Sequence, residues 1–322
     1  MQTAWKSQSP LQVLKQRAFL LSKIREFFTD KGVLEVETPI LSSAGNTDVN
    51  IESFTTEKIS HDNLMSYLRT SPEFPLKRLI CSGIGDVFEI GKVFRRGEIS
   101  KTHNVEFTML EWYRLSFSYF DLIEEVKELF ENLLFLFNKP VITTELITFN
   151  ECFNHYLAIN PQEASINDLN KLCNSCAYDG SQLSRNEALD FLFATQIQPR
   201  FNKEALSFVT HYPATQAALA QINPEDRNTS LRFEVFYQGC ELGNGYQELT
   251  DSEELLRRFG EDNQIRNNNN NSEIQIDHKL ITAMRKGMPA CSGVAVGIDR
   301  LLMVLLGCES ISEVITFTAE NA

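Results

Sequence analysis

Residues 94–114, FRRGEISKTHNVEFTMLEWYR, constrain the fold more than any other stretch of the chain. A strand-like run ends in a polar turn, and the chain returns with a strict two-residue alternation. Along the return, Phe107, Met109, Glu111 and Tyr113 fall on one face, and Glu106, Thr108, Leu110 and Trp112 on the other. A hairpin of this kind calls for an antiparallel sheet, yet it sets carboxylates among aromatic and apolar side chains. A half-exposed edge hairpin with its charges in water would show the same alternation. A ligand-facing strand would use each group: an aromatic ring for a planar base, a carboxylate and a phenol for an ammonium group, and Arg95 across the turn for phosphate oxygens.

The flanking segments set the architecture. Residues 11–31 place Leu14, Ala18, Leu21, Ile24 and Phe28 at helical spacing before Gly32, and residues 33–38 alternate as a strand up to Pro39. A short helix after Pro72, a glycine turn and a strand over 87–94 lead into the hairpin. Residues 118–138 then form an amphipathic helix through Leu122, Val126, Leu129, Leu133 and Leu136. About 146–205 reads as a helical insertion, and the last third returns to strands around an asparagine tract, RNNNNNSE, expected as a mobile surface loop. Consecutive strands without regular helical crossovers predict an α+β fold, a single domain over 1–322 built on an antiparallel β-sheet flanked by helices. Neither GxGxxG nor GxxxxGK[ST] occurs, so a nucleotide would be bound by another design.

Two further segments bear on chemistry. In LRFEVFYQGCELGNGYQELTD, Glu234, Glu241 and Glu248 recur every seven residues, Gly243 and Gly245 bracket Asn244, and Asn244, Tyr246 and Glu248 share a face. Glycines inside a strand signal a bulge or a close approach, and spaced carboxylates suit Mg²⁺ with phosphate completing its shell. In SGVAVGIDRLLMVLLG, Gly293, Ala295 and Gly297 leave one strand face open, and Arg300 opens the following helix as a phosphate clamp.

Composition narrows the class. The formal charge of −13 argues against a broad nucleic-acid surface and gives no support to a membrane surface. The N-terminal stretch lacks the apolar centre of a signal peptide, and no run approaches the roughly 18 apolar residues of a membrane span. Seven scattered cysteines fit a reducing, cytoplasmic setting. Cys173 and Cys176 form a lone CxxC with no second pair, which reads as ordinary thiols.

Taken together, these segments resemble the signature motifs of class II aminoacyl-tRNA synthetases, and among them the lysine enzymes. KGVLEVETPIL resembles the first motif, FRRGE…HNVEFTMLEWY the second and GVAVGIDRLLM the third. CELGNGYQEL is similar to the lysine-site strand and SPEFPLKRL to the substrate loop. The first motif begins near residue 31, which implies a catalytic domain without an anticodon-binding domain. That feature, EFTMLEWYR and Ala295 in the third motif are similar to a free-standing branch of the family that modifies elongation factor P.

The resemblance implies an ATP-dependent ligase that activates (R)-β-lysine, or lysine, as an adenylate and passes it to a lysine ε-amino group of elongation factor P, with no tRNA and as a homodimer. It implies Arg95 and Arg300 as catalytic phosphate clamps. It further implies Arg96, Gly97, Glu98, His103, Asn104, Phe107, Glu241, Leu242 and Gly297 around ATP, with Phe107 on adenine. Ser71, Pro72, Glu73, Glu111, Tyr113, Asn244, Tyr246, Glu248 and Ala295 would line the amino-acid site, and Glu234 with Glu241 would hold Mg²⁺. The Arg95-Arg96-Gly97-Glu98 turn sets its carboxylate one residue later than the synthetase pattern, leaving open whether Glu98 meets ATP, and His103 is either a γ-phosphate contact or a solvated loop histidine. A truncated synthetase charging tRNA and a non-catalytic amino-acid sensor are the rival readings.

Overall fold

Apolar spacing at the start of the chain becomes α1 (Leu11–Asp30), whose buried line is Leu20, Ile24 and Phe28. The buried stripe is rotated from the one spacing suggests, since Ala18 is exposed. The structure, a computed structural model, describes residues 5–57, 65–140 and 142–322. The strand expected over 33–38 is shorter than its alternation: β1 is only Leu34–Glu35. Val36 still donates to the Phe88 carbonyl at 2.9 Å, but Pro39 has no amide with which to extend the ladder. Then follow β2 (Leu41–Ser42), β3 (Thr55–Thr56) and β4 (Ser66–Leu68), a small antiparallel sheet in the order β2-β4-β3.

Helix α2 (Glu73–Cys81) begins at Pro72, and the predicted hairpin follows as β5 (Val87–Phe94) and β6 (Glu106–Leu115). Ser118 and Asp121 close a capping box on α3 (Tyr119–Leu136). β7 (Thr143–Thr148) leads into α4 (Phe149–Leu157), α5 (Ile166–Ser175) and α6 (Arg185–Leu192), and the chain returns in β8 (Ala205–Thr210). The chain ends through β9 (Arg232–Tyr237), β10 (Cys240–Gln247), α7 (Ser252–Asn268), α8 (His278–Gly287), β11 (Cys291–Gly297) and α9 (Ile298–Leu306).

Eight strands form the main sheet in the order β1-β5-β6-β11-β10-β9-β8-β7. It is antiparallel through its centre and parallel at both edges, where β1 joins β5 and β7 joins β8. The β7–β8 pair is parallel because the α4–α6 segment carries the chain back across the sheet between them, the crossover that parallel strands require. One face packs on α1, α3 and α9. Phe28 stacks on Phe88 at 4.6 Å between ring centres and meets Trp112 edge-on at 5.1 Å. At opposite ends of the other face lie the apolar cluster of α4–α6 and that of α2, α7 and α8.

The asparagine tract corrects one expectation, because it begins inside α7. The guanidinium of Arg266 is buried, donating to Glu52 Oε1 at 2.7 Å and to the Asp48 carbonyl at 3.1 Å. That anchor keeps Asn267 and Asn268 helical, and the turn waits until Asn270 at φ 59°.

Candidate functional site

Register assembles the site. Glu89 of β5 pairs with Glu111 of β6, Glu111 with Ala295 of β11, Ala295 with Asn244 of β10, and Asn244 with Glu234 of β9. Directly paired residues share a face, so these five form one row across the sheet, away from α1 and α3. The next row runs Val87, Tyr113, Gly293, Tyr246 and Arg232. The hairpin therefore lies inside the sheet, between β1 and β11. Glu111 on it is buried, whereas Glu106, at the start of β6, is exposed and pairs with Lys92 at 3.2 Å.

The first cluster is acidic. Tyr113 Oη donates to Glu111 Oε1 at 2.7 Å, and Glu111 Oε2 is buried with no hydrogen-bond partner. Burial, then repulsion from Glu73, pushes the Glu111 carboxyl well above its ordinary range against the opposing Tyr113 bond. Glu248, just past β10, is 1% exposed, and burial raises it to about 7 although Lys77 pulls it down. Glu73 opens α2, beside Ser71, whose Oγ accepts the Glu73 amide at 3.4 Å, and Pro72. Sequence reading missed Lys77, which stands between Glu73 Oε1 and Glu248 Oε2 at 2.6 Å from each. Its only local signal was the four-residue spacing from Glu73 on a helix; Glu248 is brought in by the fold.

Gly293 explains itself here. A Cβ there would land on the Tyr113 ring and within 2.6 Å of Glu248 Oε1, so the open strand face is occupied by the pocket's own side chains. Ala295, two residues on, sets its methyl between Glu111 and Asn244. The glycines flanking Asn244 serve the opposite face, where Gly245 yields to Phe233 and Gly243 to Val235 and Val296. The bulge that they suggested lies between Glu241 and Gly243.

A second network adjoins the first. Arg232 donates to Glu234 Oε1 at 2.5 Å and to Asn244 Oδ1 at 3.3 Å, Tyr212 donates to Glu234 Oε2 at 2.6 Å, and Asn244 donates to Tyr246 Oη at 3.2 Å. Burial raises Glu234 in spite of Arg232. Arg232 and Tyr212 were also missed, as was the buried pair of Arg69 and Glu89 at 2.6 Å, which closes the other end of the row. Arg69 and Glu89 are far apart in the chain and leave no trace in linear spacing, whereas Arg232 stands two residues before Glu234 on β9, a strand-period signal that was there to be used.

The third cluster is a narrow cavity lined by Glu98, Thr102, His103, Asn104, Phe107, Gly297, Asp299, Arg300 and Ile311. Gly97 at φ 84° adopts the left-handed conformation that returns the RRGE turn, bringing Glu98 to 3.6 Å from Arg95 and onto the cavity wall. Arg96 and Gly97 are exposed beside it. The Arg95 guanidinium lies over the Phe107 ring, 5.2 Å from its centre. His103 is not on a free loop: it bridges to Ser100, its Nδ1 lies 2.7 Å from Ser100 Oγ, and burial and Arg300 lower its pKa. Asn104 Nδ2 donates to the Glu106 carbonyl at 2.7 Å.

Arg300 donates to the Glu241 carbonyl at 2.9 Å, and its guanidinium is 3.6 Å from the Glu241 carboxylate. Leu242 puts its side chain in the main core, so that position can offer the site only backbone. Asp299 is a further residue that spacing did not single out for this role. Its carboxylate accepts from Arg17 of α1 at 2.5 Å and from the Thr108 amide at 2.8 Å, tying the start of α9 to β6.

Among the described residues, no three or more His, Cys, Asp or Glu side chains are grouped to hold a metal ion, and no helix is long and apolar enough to cross a membrane. Glu234 and Glu241 supply two carboxylates, of which Glu241 is the more open, since Glu234 already accepts on both oxygens. All seven cysteines are free thiols.

A family model for class II tRNA synthetases (D, K and N) matches residues 3–321. The chain is 43% identical over 322 residues to the elongation factor P--(R)-beta-lysine ligase of Avibacterium paragallinarum, covering 99% of this chain and 98% of that protein. It is 44% identical over 325 residues to the ligase of the same name from Pasteurella multocida, covering 100% and 99%. The Haemophilus influenzae (strain ATCC 51907 / DSM 11121 / KW20 / Rd) protein so named is 41% identical over 324 residues, covering 99% and 98%.

Proposed function

We propose, from the premise that this chain belongs to the class II tRNA synthetases (D, K and N), that it is an ATP-dependent ligase acting on a protein. It activates (R)-β-lysine as an adenylate and transfers it to the ε-amino group of a lysine of elongation factor P. Relatives covered over 98% and 99% of their length are named elongation factor P--(R)-beta-lysine ligase, and the adenylate route and the lysine acceptor are this reading's own. The observation that carries the reading is the adjacency, on one sheet face, of an acidic pocket built from Glu73, Glu111 and Glu248 and a cavity bearing Arg300, His103 and Phe107.

In the first step the carboxylate of the amino acid attacks the α-phosphorus of ATP and pyrophosphate leaves. In the second, the acceptor amine attacks the acyl carbon, AMP departs and the nitrogen loses its proton. No side chain has to serve as a nucleophile. Glu73, Glu111, Tyr113 and Glu248 hold the two ammonium groups of the substrate, with Ser71, Pro72, Asn244, Tyr246 and Ala295 shaping the pocket. Arg95 and Arg300 clamp phosphate oxygens, Phe107 takes the adenine ring, and Glu98, His103, Asn104, Glu241, Leu242 and Gly297 surround the nucleotide, with Arg96 and Gly97 forming the turn. Holding the carboxylate near the phosphorus and offering fixed cations for the developing charge accounts for the acceleration. Glu234 and Glu241 would hold Mg²⁺, which neutralises phosphate charge when bound. The chain works as a homodimer through the segment about Pro39, in the cytoplasm and without tRNA.

Purified protein with ATP and Mg²⁺ is offered (R)-β-lysine or lysine, then elongation factor P or bulk tRNA, and each acceptor is weighed. A gain of one lysyl residue on the protein is expected. Acylated tRNA alone would point to a truncated synthetase, and no pyrophosphate release with any amino acid would point to a sensor.

A further inference from the structure

Lys77 is 1% exposed within the acidic cluster, and the proposed reaction assigns it no task. Its ammonium touches two carboxylates from distant parts of the chain, Glu73 at the start of α2 and Glu248 past β10, at 2.6 Å from each. The third carboxylate, Glu111 on β6, is bonded only by Tyr113 and leaves Oε2 buried and bare. With every group ionised, three carboxylates face one ammonium, a deficit of two positive charges. Uncompensated charge at this depth is costly, so the pocket either takes up protons or takes in cations.

We propose that Lys77 is a positioning and specificity-determining residue: by bracing Glu73 against Glu248 and cancelling one of three buried carboxylates, it matches the pocket to an amino acid carrying two ammonium groups. This rests on the function proposed above and deepens it. A monoammonium acid would leave one buried carboxylate unmatched. A pocket without Lys77 would hold Glu73 and Glu248 together without the cation that separates them, and they would retain a proton instead of accepting an ammonium.

The groups facing Lys77 all bear on its effect. Glu73 and Cys81 come from α2, Glu111 and Tyr113 from β6, Glu248 from the end of β10 and Cys291 from β11. Burial alone would lower the Lys77 pKa, but Glu248 and Glu73 outweigh it and keep the ammonium charged. Lys77 in turn pulls Glu248 and Glu111 downward, favouring the carboxylates that bind.

ATP–pyrophosphate exchange measured from pH 6 to 8.5 tests this on the full-length protein with (R)-β-lysine, lysine and norleucine. In the wild-type protein, affinity for the diamino acids rises as Glu248 ionises, at about 7. In Lys77→Met the midpoint moves upward. KM for the diamino acid at pH 7 rises roughly tenfold, the scale of one charge-assisted contact, and recovers toward pH 8.5, while KM for ATP holds. Lys77→Arg restores the midpoint.

Should Lys77→Met fail to fold, calorimetry of diamino-acid binding to the wild-type protein in buffers of different ionisation heat reads the same charge. Net proton release near pH 7 is expected, and its absence overturns the inference. An unmoved midpoint in a folded Lys77→Met, with KM raised equally at every pH, reduces Lys77 to a structural role. Absence of exchange in a wild-type protein that still binds diamino acids overturns the catalytic reading alone, and absence of binding overturns this one.

Discussion

At the scale of single residues, small differences in side-chain volume set how the acidic cluster closes. Gly293 gives up its side chain so that Tyr113 and Glu248 can close on each other, whereas Ala295 keeps a methyl between Glu111 and Asn244. In the proposed reaction that methyl would border the amino-acid substrate. Ala295→Gly should therefore relax the preference toward α-lysine, shifting the ratio of exchange rates for the two isomers by roughly tenfold, the usual worth of a methyl-sized difference in a pocket. An unchanged ratio in ATP–pyrophosphate exchange would refute a discriminating role for the methyl. Glu98 illustrates another residue-scale effect, since left-handed Gly97 turns the chain just before it and Glu98 reaches the cavity wall.

At the scale of elements, the hairpin β5–β6 works because its two faces answer to different neighbours. Leu110 and Trp112 anchor it on α1 and α3, and Trp112 also donates to Glu125 Oε2 at 3.0 Å. The opposite face is thereby free to carry Glu111 and Tyr113. Helix α1 supports the hairpin twice, through Phe28 on Phe88 and Trp112 and through Arg17, which reaches both Asp299 and Thr108 Oγ1. Phe28→Ala should cost about 3–5 kcal/mol by transfer and cavity terms, read as a lower midpoint in chemical denaturation. A loss below about 1 kcal/mol would mean that the aromatic cluster collapses around the gap.

At the scale of the molecule, the sheet carries the site on one face and its main core on the other, and the first strand lies at an edge. Leu34, Ile40 and Leu41 around that edge are exposed, an apolar strip suited to a second copy of the chain. Light scattering should give twice the 36.7 kDa chain mass, and Ile40→Asp should shift it toward the single-chain value; a monomeric wild-type protein would end the dimer proposal. Much of this architecture was legible in linear order. The helix over 11–31, the strand over 87–94 and the two faces of 106–115 follow from spacing alone, because local periodicity reports which side of an element meets apolar neighbours. Candidate site residues such as Glu111, Tyr113 and Glu248 could likewise be named, since carboxylates and phenols are conspicuous in apolar strands. What folding alone decided was their company: the parallel edges of the sheet, the helical start of the asparagine tract, and the long-range pairings of Lys77 with Glu248 and of Arg69 with Glu89. Glu248 lies 171 positions beyond Lys77 in the chain, 248 less 77, and a charge is neutralised by whatever stands within a few ångströms of it, a distance that sequence does not measure.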